Sequence, residues 1–235
     1  MTRSGRSLRY HTVPPLSFKR HCRWRSYIER SATLEKHGGY IMRRLFGLFV
    51  ILGLAAATVS AQFAPQQVVP PPVDIPISNI PQQTQVWCWA AVAQQIIAAI
   101  VGPNRTPSQC TLVETAYGAP PGSCCSGADP RCVTVGSLPQ IQALILRFGG
   151  QVSSIAPPTD PMTLYSTLAN RHPIILEVQT GPTSTHVVVL RGMGFQQGPF
   201  GIQPVLEIND PMSYATQTVP FANLVGIWRD AIVVY

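Results

Sequence analysis

Residues 62–235 contain two histidines, His172 and His186, and five cysteines, Cys88, Cys110, Cys124, Cys125 and Cys132. A thiol nucleophile needs a base to take its proton, so a Cys–His mechanism here must use one of those two imidazoles. Cys88 stands in Gln82-Gln83-Thr84-Gln85-Val86-Trp87-Cys88-Trp89-Ala90-Ala91, at the point where an apolar periodic stretch begins. A thiol at a helix N-terminus faces unpaired N–H groups and the positive dipole end, and both stabilise the thiolate. A lone cysteine in such a stretch more often packs as a small apolar residue. The surrounding residues point the other way. Gln82, six residues upstream, carries an amide able to donate to an oxyanion beside the Cys88 N–H. Gln83 and Gln85 read as solvated loop residues.

His186 opens the run His186-Val187-Val188-Val189-Leu190. A histidine at the mouth of a buried strand is rigidly held, which a general base requires. His172, in Asn170-Arg171-His172-Pro173, reads as a surface or turn residue. Period-two alternation puts Asp210 on the same strand face as Leu206 and Ile208. An inward carboxylate needs a partner, and an imidazole on a neighbouring strand supplies one. An Asp-Pro turn explains Asp210 equally well, and Asn209 is the rival for orienting the histidine.

Taken together, Gln82, Trp87-Cys88-Trp89-Ala90-Ala91, His186-Val187-Val188-Val189 with Gly192, and Asn209-Asp210-Pro211 resemble the papain-like cysteine peptidase superfamily. The nearest pattern is a bacterial branch that includes effector proteases delivered into plant cells, and leader peptidases of peptide exporters share its outline. The resemblance spans roughly residues 80–215. It implies Cys88 as nucleophile, His186 as base, Asp210 as orienting acid and Gln82 as oxyanion donor, with a protein or peptide as substrate. Other chemistries find little support. There is no Gly-x-Ser-x-Gly motif, and two scattered histidines form no His-x-x-x-His pair. No metal and no cofactor are expected.

Stepping outward from these residues, Cys88 to Ile100 reads as a helix, with Trp89, Val92, Ile96 and Ile100 near one face and Gly102-Pro103 stopping it. Residues 104–135, rich in Cys, Gly and Pro, read as a stapled loop region. Ile141, Leu144, Ile145 and Phe148 at i, i+3, i+4, i+7 predict a second helix between Pro139 and Gly149-Gly150, and 161–170 predicts a short third one. Four β-branched runs follow, at 173–180, 186–192, 203–209 and 231–235. Helices first and strands after predict an α+β fold, its N-terminal helical half packed on a C-terminal antiparallel sheet.

Net charge is +7 over 235 residues, but the excess lies at one end. Residues 1–61 hold 11 Lys and Arg against Glu29 and Glu35, whereas 62–235 hold six Arg, no Lys and eight acids. A basic face on the folded part is therefore missing, and nucleic acid is excluded as its expected partner. Arg43-Arg44, the 13 apolar or small residues from Leu45 to Ala57 and Val59-Ser60-Ala61 have the layout of a cleavable signal peptide. The run is short of the roughly 20 residues a spanning helix needs. The expected organisation is a basic extension over 1–41 that is not translated, with Met42 as the true start; a signal peptide over 42–61; a Pro-rich arm over 62–80; and one papain-like domain over 81–235. The product is expected to be secreted or periplasmic, off the membrane after signal removal, and monomeric.

An odd cysteine count in an exported chain suggests one functional thiol and paired remainder. With Cys88 as nucleophile, four cysteines are left for two disulfides. A bridge between adjacent Cys124 and Cys125 is strained, which leaves Cys110 with one of them and Cys132 with the other. A four-cysteine zinc site is the rival, disfavoured by the missing Cys-x-x-Cys spacing. Three functions fit the residues: a secreted cysteine peptidase, a cysteine amidase or acyltransferase on cell-wall peptides, and a catalytically idle peptide-binding module. An intact Cys, His, Asp and Gln set favours the first.

Overall fold

The computed structural model describes residues 69–199 and 201–235. The basic extension, the signal peptide and residues 62–68 of the Pro-rich arm lie outside the described residues.

Helix α1 spans Cys88–Val101 and begins on the cysteine itself. Trp87 at its N-cap makes no side-chain cap bond, so the first-turn N–H groups keep the exposed partial charge of an open helix end. The expected single apolar face is wider than the spacing suggested. Trp89, Ala90, Ala91, Val92, Ala93, Ile96 and Ile97 are all at most 1% exposed, which makes α1 a helix buried nearly all round. Its alanines supply the small surface that lets other elements close in. Helix α2 (Gln109–Tyr117) lies inside the stretch expected to be loop. Ser108 caps it by accepting from the Thr111 N–H, and Leu112 and Val113 anchor it in the core. Helix α3 (Leu138–Gly149) starts with a Ser137–Gln140 capping box around Pro139 and buries Leu138, Ile141, Leu144 and Ile145. Phe148 is only half-buried. Helix α4 (Pro161–Ala169) is capped by Asp160, whose carboxylate accepts from the Met162 and Thr163 N–H groups.

The strands are β1 (Val73–Asp74), β2 (Ser153–Ala156), β3 (Ile174–Gln179), β4 (Thr185–Gly198), β5 (Gly201–Asn209), β6 (Gln217–Pro220) and β7 (Trp228–Val234), with a short helix α5 (Phe221–Val225) between the last two. They form one seven-stranded sheet in the order β2-β7-β3-β4-β5-β6, with β1 joined to β4. Every pairing is antiparallel. The architecture is thus α+β, helices followed by an antiparallel sheet. α1 packs against α2, α3 and β4, so the core lies between the helical half and the sheet. β4 runs six residues past its expected end because its second half forms a hairpin with β5, down to the Gly198–Gly201 pair.

The Pro-rich stretch is extended, as its composition suggests, but from Val73 onward it is packed rather than a free linker. Val73 and Asp74 pair with Met193 and Gly192 of β4. Ile77 is 1% exposed. Gly192 makes this approach possible, since a Cβ there would come within 2.7 Å of the Val73 carbonyl oxygen. The Asp74 carboxylate pairs with the Arg191 guanidinium, whose other nitrogen donates to the Ile77 carbonyl.

Candidate active site

Three elements converge on one point: the start of α1, the start of β4 and the loop leaving β5. Val178 of β3 sits opposite His186, and Asn209 closes the β4–β5 ladder opposite Val189, so sheet register fixes where His186 and Asp210 stand. Asp210 Oδ1 lies 2.7 Å from His186 Nε2. The same oxygen accepts from the Met212 N–H at 2.8 Å. Asp210 thus combines a turn and a partner contact: its Asx turn aims the carboxylate at the imidazole. The two side chains are buried, at 5% and 2% exposure. Asn209 points elsewhere, donating to the Ile77 carbonyl and accepting from the Thr216 hydroxyl.

His186 also hydrogen-bonds the Cys88 thiol. Burial pushes the imidazole toward its neutral form. The hydrogen bonds to Asp210 and Cys88 and the negative charge on both outweigh burial and raise it to about 9. Burial likewise pushes the Cys88 thiol up. The hydrogen bond and positive charge of His186, with the backbone N–H groups of Val187 and Trp89, overcome this and hold the thiol below its ordinary value. Each shift favours the charged form, thiolate at Cys88 and imidazolium at His186. Cys88 itself is half-exposed and is the free cysteine of the described residues, open to a reactant.

Gln82 is brought to the site's edge by its backbone, whose N–H donates to the Pro211 carbonyl at 2.8 Å. Its side-chain amide is held by its own loop: Nε2 donates to the Thr84 carbonyl at 2.8 Å, and Oε1 is buried without a partner. Gln83 and Gln85 are exposed. His172 belongs to a different part of the molecule, its ring edge-on against Tyr235 at 5.0 Å.

The other four cysteines form Cys110–Cys125 and Cys124–Cys132, with Cα separations of 4.9 and 5.4 Å. Among the described residues no group of three or more His, Cys, Asp or Glu is arranged to hold a metal ion. The second disulfide serves the site indirectly. The Trp87 indole N–H donates to the Cys132 carbonyl and the Trp89 indole to the Thr134 carbonyl, so the tryptophans flanking Cys88 tie down the strip that follows. Gly136 lies so close under the Trp89 ring that any Cβ would collide with it. Residues 135–138 thereby form one wall of a cavity of about 260 Å³ that opens beside Cys88, with β3 and β4 forming the other. Sequence reasoning missed this role. The available signal was a pair of buried indoles, each of which must find an acceptor. Asn79 was also missed: it donates to the Asp210 and Ser213 carbonyls and braces the loop that carries the carboxylate.

An α+β chain with a thiol, an imidazole and a carboxylate in line at a helix N-terminus is the class that fold and site define. No family model matches the chain, and no curated protein matches it. Similar solved structures include the peptidase domain of Streptococcus ComA, a bi-functional ABC transporter involved in a quorum-sensing pathway, at 20% identity and TM-score 0.45, covering 66% of this chain and 95% of that one. Another is the digestive procathepsin L2 proteinase from the Tenebrio molitor larval midgut, at 16% identity and TM-score 0.45, covering 70% and 68%. UfSP from C. elegans is similar at 10% identity and TM-score 0.44, covering 74% of this chain and 35% of that one. No helix among the described residues is long and apolar enough to cross a membrane.

Proposed function

We propose that this chain is an exported cysteine peptidase of the papain-like type, close in motif to the bacterial branch that includes plant-cell effectors, and that it hydrolyses peptide bonds through Cys88. The single observation that supports this most is the hydrogen-bonded line from the Cys88 thiol through His186 to Asp210, opening on a cavity at a helix N-terminus.

In this mechanism the Cys88 thiolate attacks the carbonyl carbon of a peptide bond. The carbonyl π electrons move onto oxygen, which is received by the first-turn N–H of Cys88 and by the Gln82 amide. For the latter, the Nε2 hydrogen not used by Thr84 must face the oxyanion. The orphaned Oε1 is a cost of holding the amide there. The tetrahedral species collapses, the C–N bond breaks, and imidazolium His186 protonates the leaving amine. Neutral His186 then takes a proton from water, whose hydroxide attacks the thioester and releases the acid and the thiolate. Asp210 holds the ring so that one nitrogen faces sulfur in each step. The two disulfides suit an oxidising compartment.

The test is a digest of a peptide library by the full chain. Cleavage that is blocked by a thiol-directed peptidase probe, and absent in Cys88→Ala, is the expected result. Labelling of Cys88 with no peptide cleaved would move the chain to amidase or acyltransferase chemistry. Native protein that neither labels nor cleaves would leave an idle binding module.

A further inference from the structure

The cavity beside Cys88 carries apolar side chains together with the hydroxyl-bearing Ser137 and residues 183–185. Val135, Leu138 and Ile141 line one side and Val187 the other. The titratable groups that line it are Cys88, His186 and Glu177. Glu177 takes no part in the proposed chemistry. It stands on β3 directly across from Val187 of β4 and from Asp230 of β7. One neighbour is therefore apolar and the other carries the same sign of charge, a pairing that costs stability when nothing intervenes. None of the six arginines of the described residues is ion-paired with Glu177. Its carboxylate Oε1 accepts one hydrogen bond, from the Thr185 hydroxyl at 3.1 Å.

From this we infer that Glu177 is a specificity-determining residue: it selects peptides that place a lysine or arginine side chain in the cavity next to the scissile bond. A long basic side chain fits both features of the site. Its methylene stem covers the apolar walls, and its charged end meets the carboxylate in a charge-assisted hydrogen bond. Neither an aliphatic nor an acidic side chain satisfies both. The inference rests on the peptidase reading for its catalytic readout, but the pocket's charge preference is separable from catalysis.

The test compares peptides that differ by charge alone, lysine against norleucine and arginine against citrulline, moved through each position around the scissile bond. The full chain should show, at one position, a kcat/KM favouring the basic member by about 10- to 100-fold. In Glu177→Gln that ratio should fall to near one, and in Glu177→Arg glutamate should be favoured over glutamine at the same position. A ratio within about 2-fold at every position, or one that survives in Glu177→Gln, overturns the inference while leaving the peptidase reading intact. If no peptide is cleaved, the peptidase reading fails instead. The pocket is then judged by binding of the same labelled peptides to Cys88→Ala, where tighter binding of the lysine member, lost in the Cys88→Ala, Glu177→Gln double variant, supports it and equal affinities overturn it.

Discussion

The carboxylate at position 210 does two jobs with one oxygen, closing its own turn on the Met212 N–H and orienting His186. In the proposed mechanism it orients rather than reacts, and this sets the order of effects expected from substitution. Cys88→Ala should abolish peptide hydrolysis and His186→Ala should nearly do so. Asp210→Asn should keep the fold and lose about 10-fold to 10⁴-fold in kcat, and His172→Ala should be near neutral. Gln82→Ala should lose about 10²- to 10³-fold in kcat with KM little changed. Full activity in Gln82→Ala with loss in Gln83→Ala would transfer that role by one residue. The pH dependence belongs to the same groups. A raised His186 stabilises the fold fully below its ordinary value of 6.5 and loses that contribution as pH rises through about 9. A lowered Cys88 contributes above its ordinary value and loses that as pH falls through its folded one. Between the ordinary histidine and thiol values the two contributions change in opposite directions with pH and offset each other in part, which flattens the stability profile. The chemistry is not flat: hydrolysis should decline above about pH 9, where His186 no longer carries the proton for the leaving amine.

At the scale of elements, the strip from Cys132 to Leu138 is held at three places: the Cys124–Cys132 disulfide, the two indole hydrogen bonds and the contact of Gly136 with Trp89. Gly136→Ala must push the Trp89 ring or the strip aside. It should therefore raise KM for peptides that fill the cavity more than it lowers kcat for small activated esters. Equal effects on both substrates would show that the strip is no binding wall. Each disulfide should stabilise by about 2–4 kcal/mol. Alkylation of the unfolded, unreduced protein should modify Cys88 alone among the cysteines of 62–235, and peptide mapping should return the two pairs that Cys110, Cys124, Cys125 and Cys132 make in the structure. The elements were unequally legible. The long helices could be read because Gly102 and Gly149-Gly150 end them and the apolar spacing marks them. α2 was hidden because the density of Cys, Gly and Pro around it masks a nine-residue helix. β1, β2 and β6, of two to four residues, are too short for alternation to register and exist only because a longer strand offers an edge.

At the scale of the whole molecule, the Pro-rich segment from Val73 onward packs on the domain instead of leading to it. Ile77 is buried, Asn209 donates to its carbonyl, and Asp74 meets Arg191 across the sheet. Proline content showed that this stretch is extended; whether it lies on a sheet depends on partners more than a hundred residues away, which local pattern cannot reveal. Ile77→Ala should cost about 2–5 kcal/mol in urea unfolding, whereas a free linker would show no change. The candidate site was legible residue by residue, because residues 62–235 hold only two histidines and Cys88, His186 and Asp210 each sit at the end of a recognisable run. What could not be read was whether Asn209 or Asp210 faces the imidazole and which residues wall the cavity. Both depend on sheet register and on the Trp87 and Trp89 anchors.

The account stands on Cys88 being a thiolate because His186 is beside it. The most direct measurement is the rate of Cys88 alkylation by iodoacetamide as a function of pH, read by mass spectrometry on the native full chain, on His186→Ala and on the unfolded protein. The native profile should have its midpoint well below that of the unfolded protein, and His186→Ala should move it back up toward the free-thiol value of about 8.5. A native midpoint equal to the unfolded one, or one that His186→Ala leaves in place, would contradict the pairing.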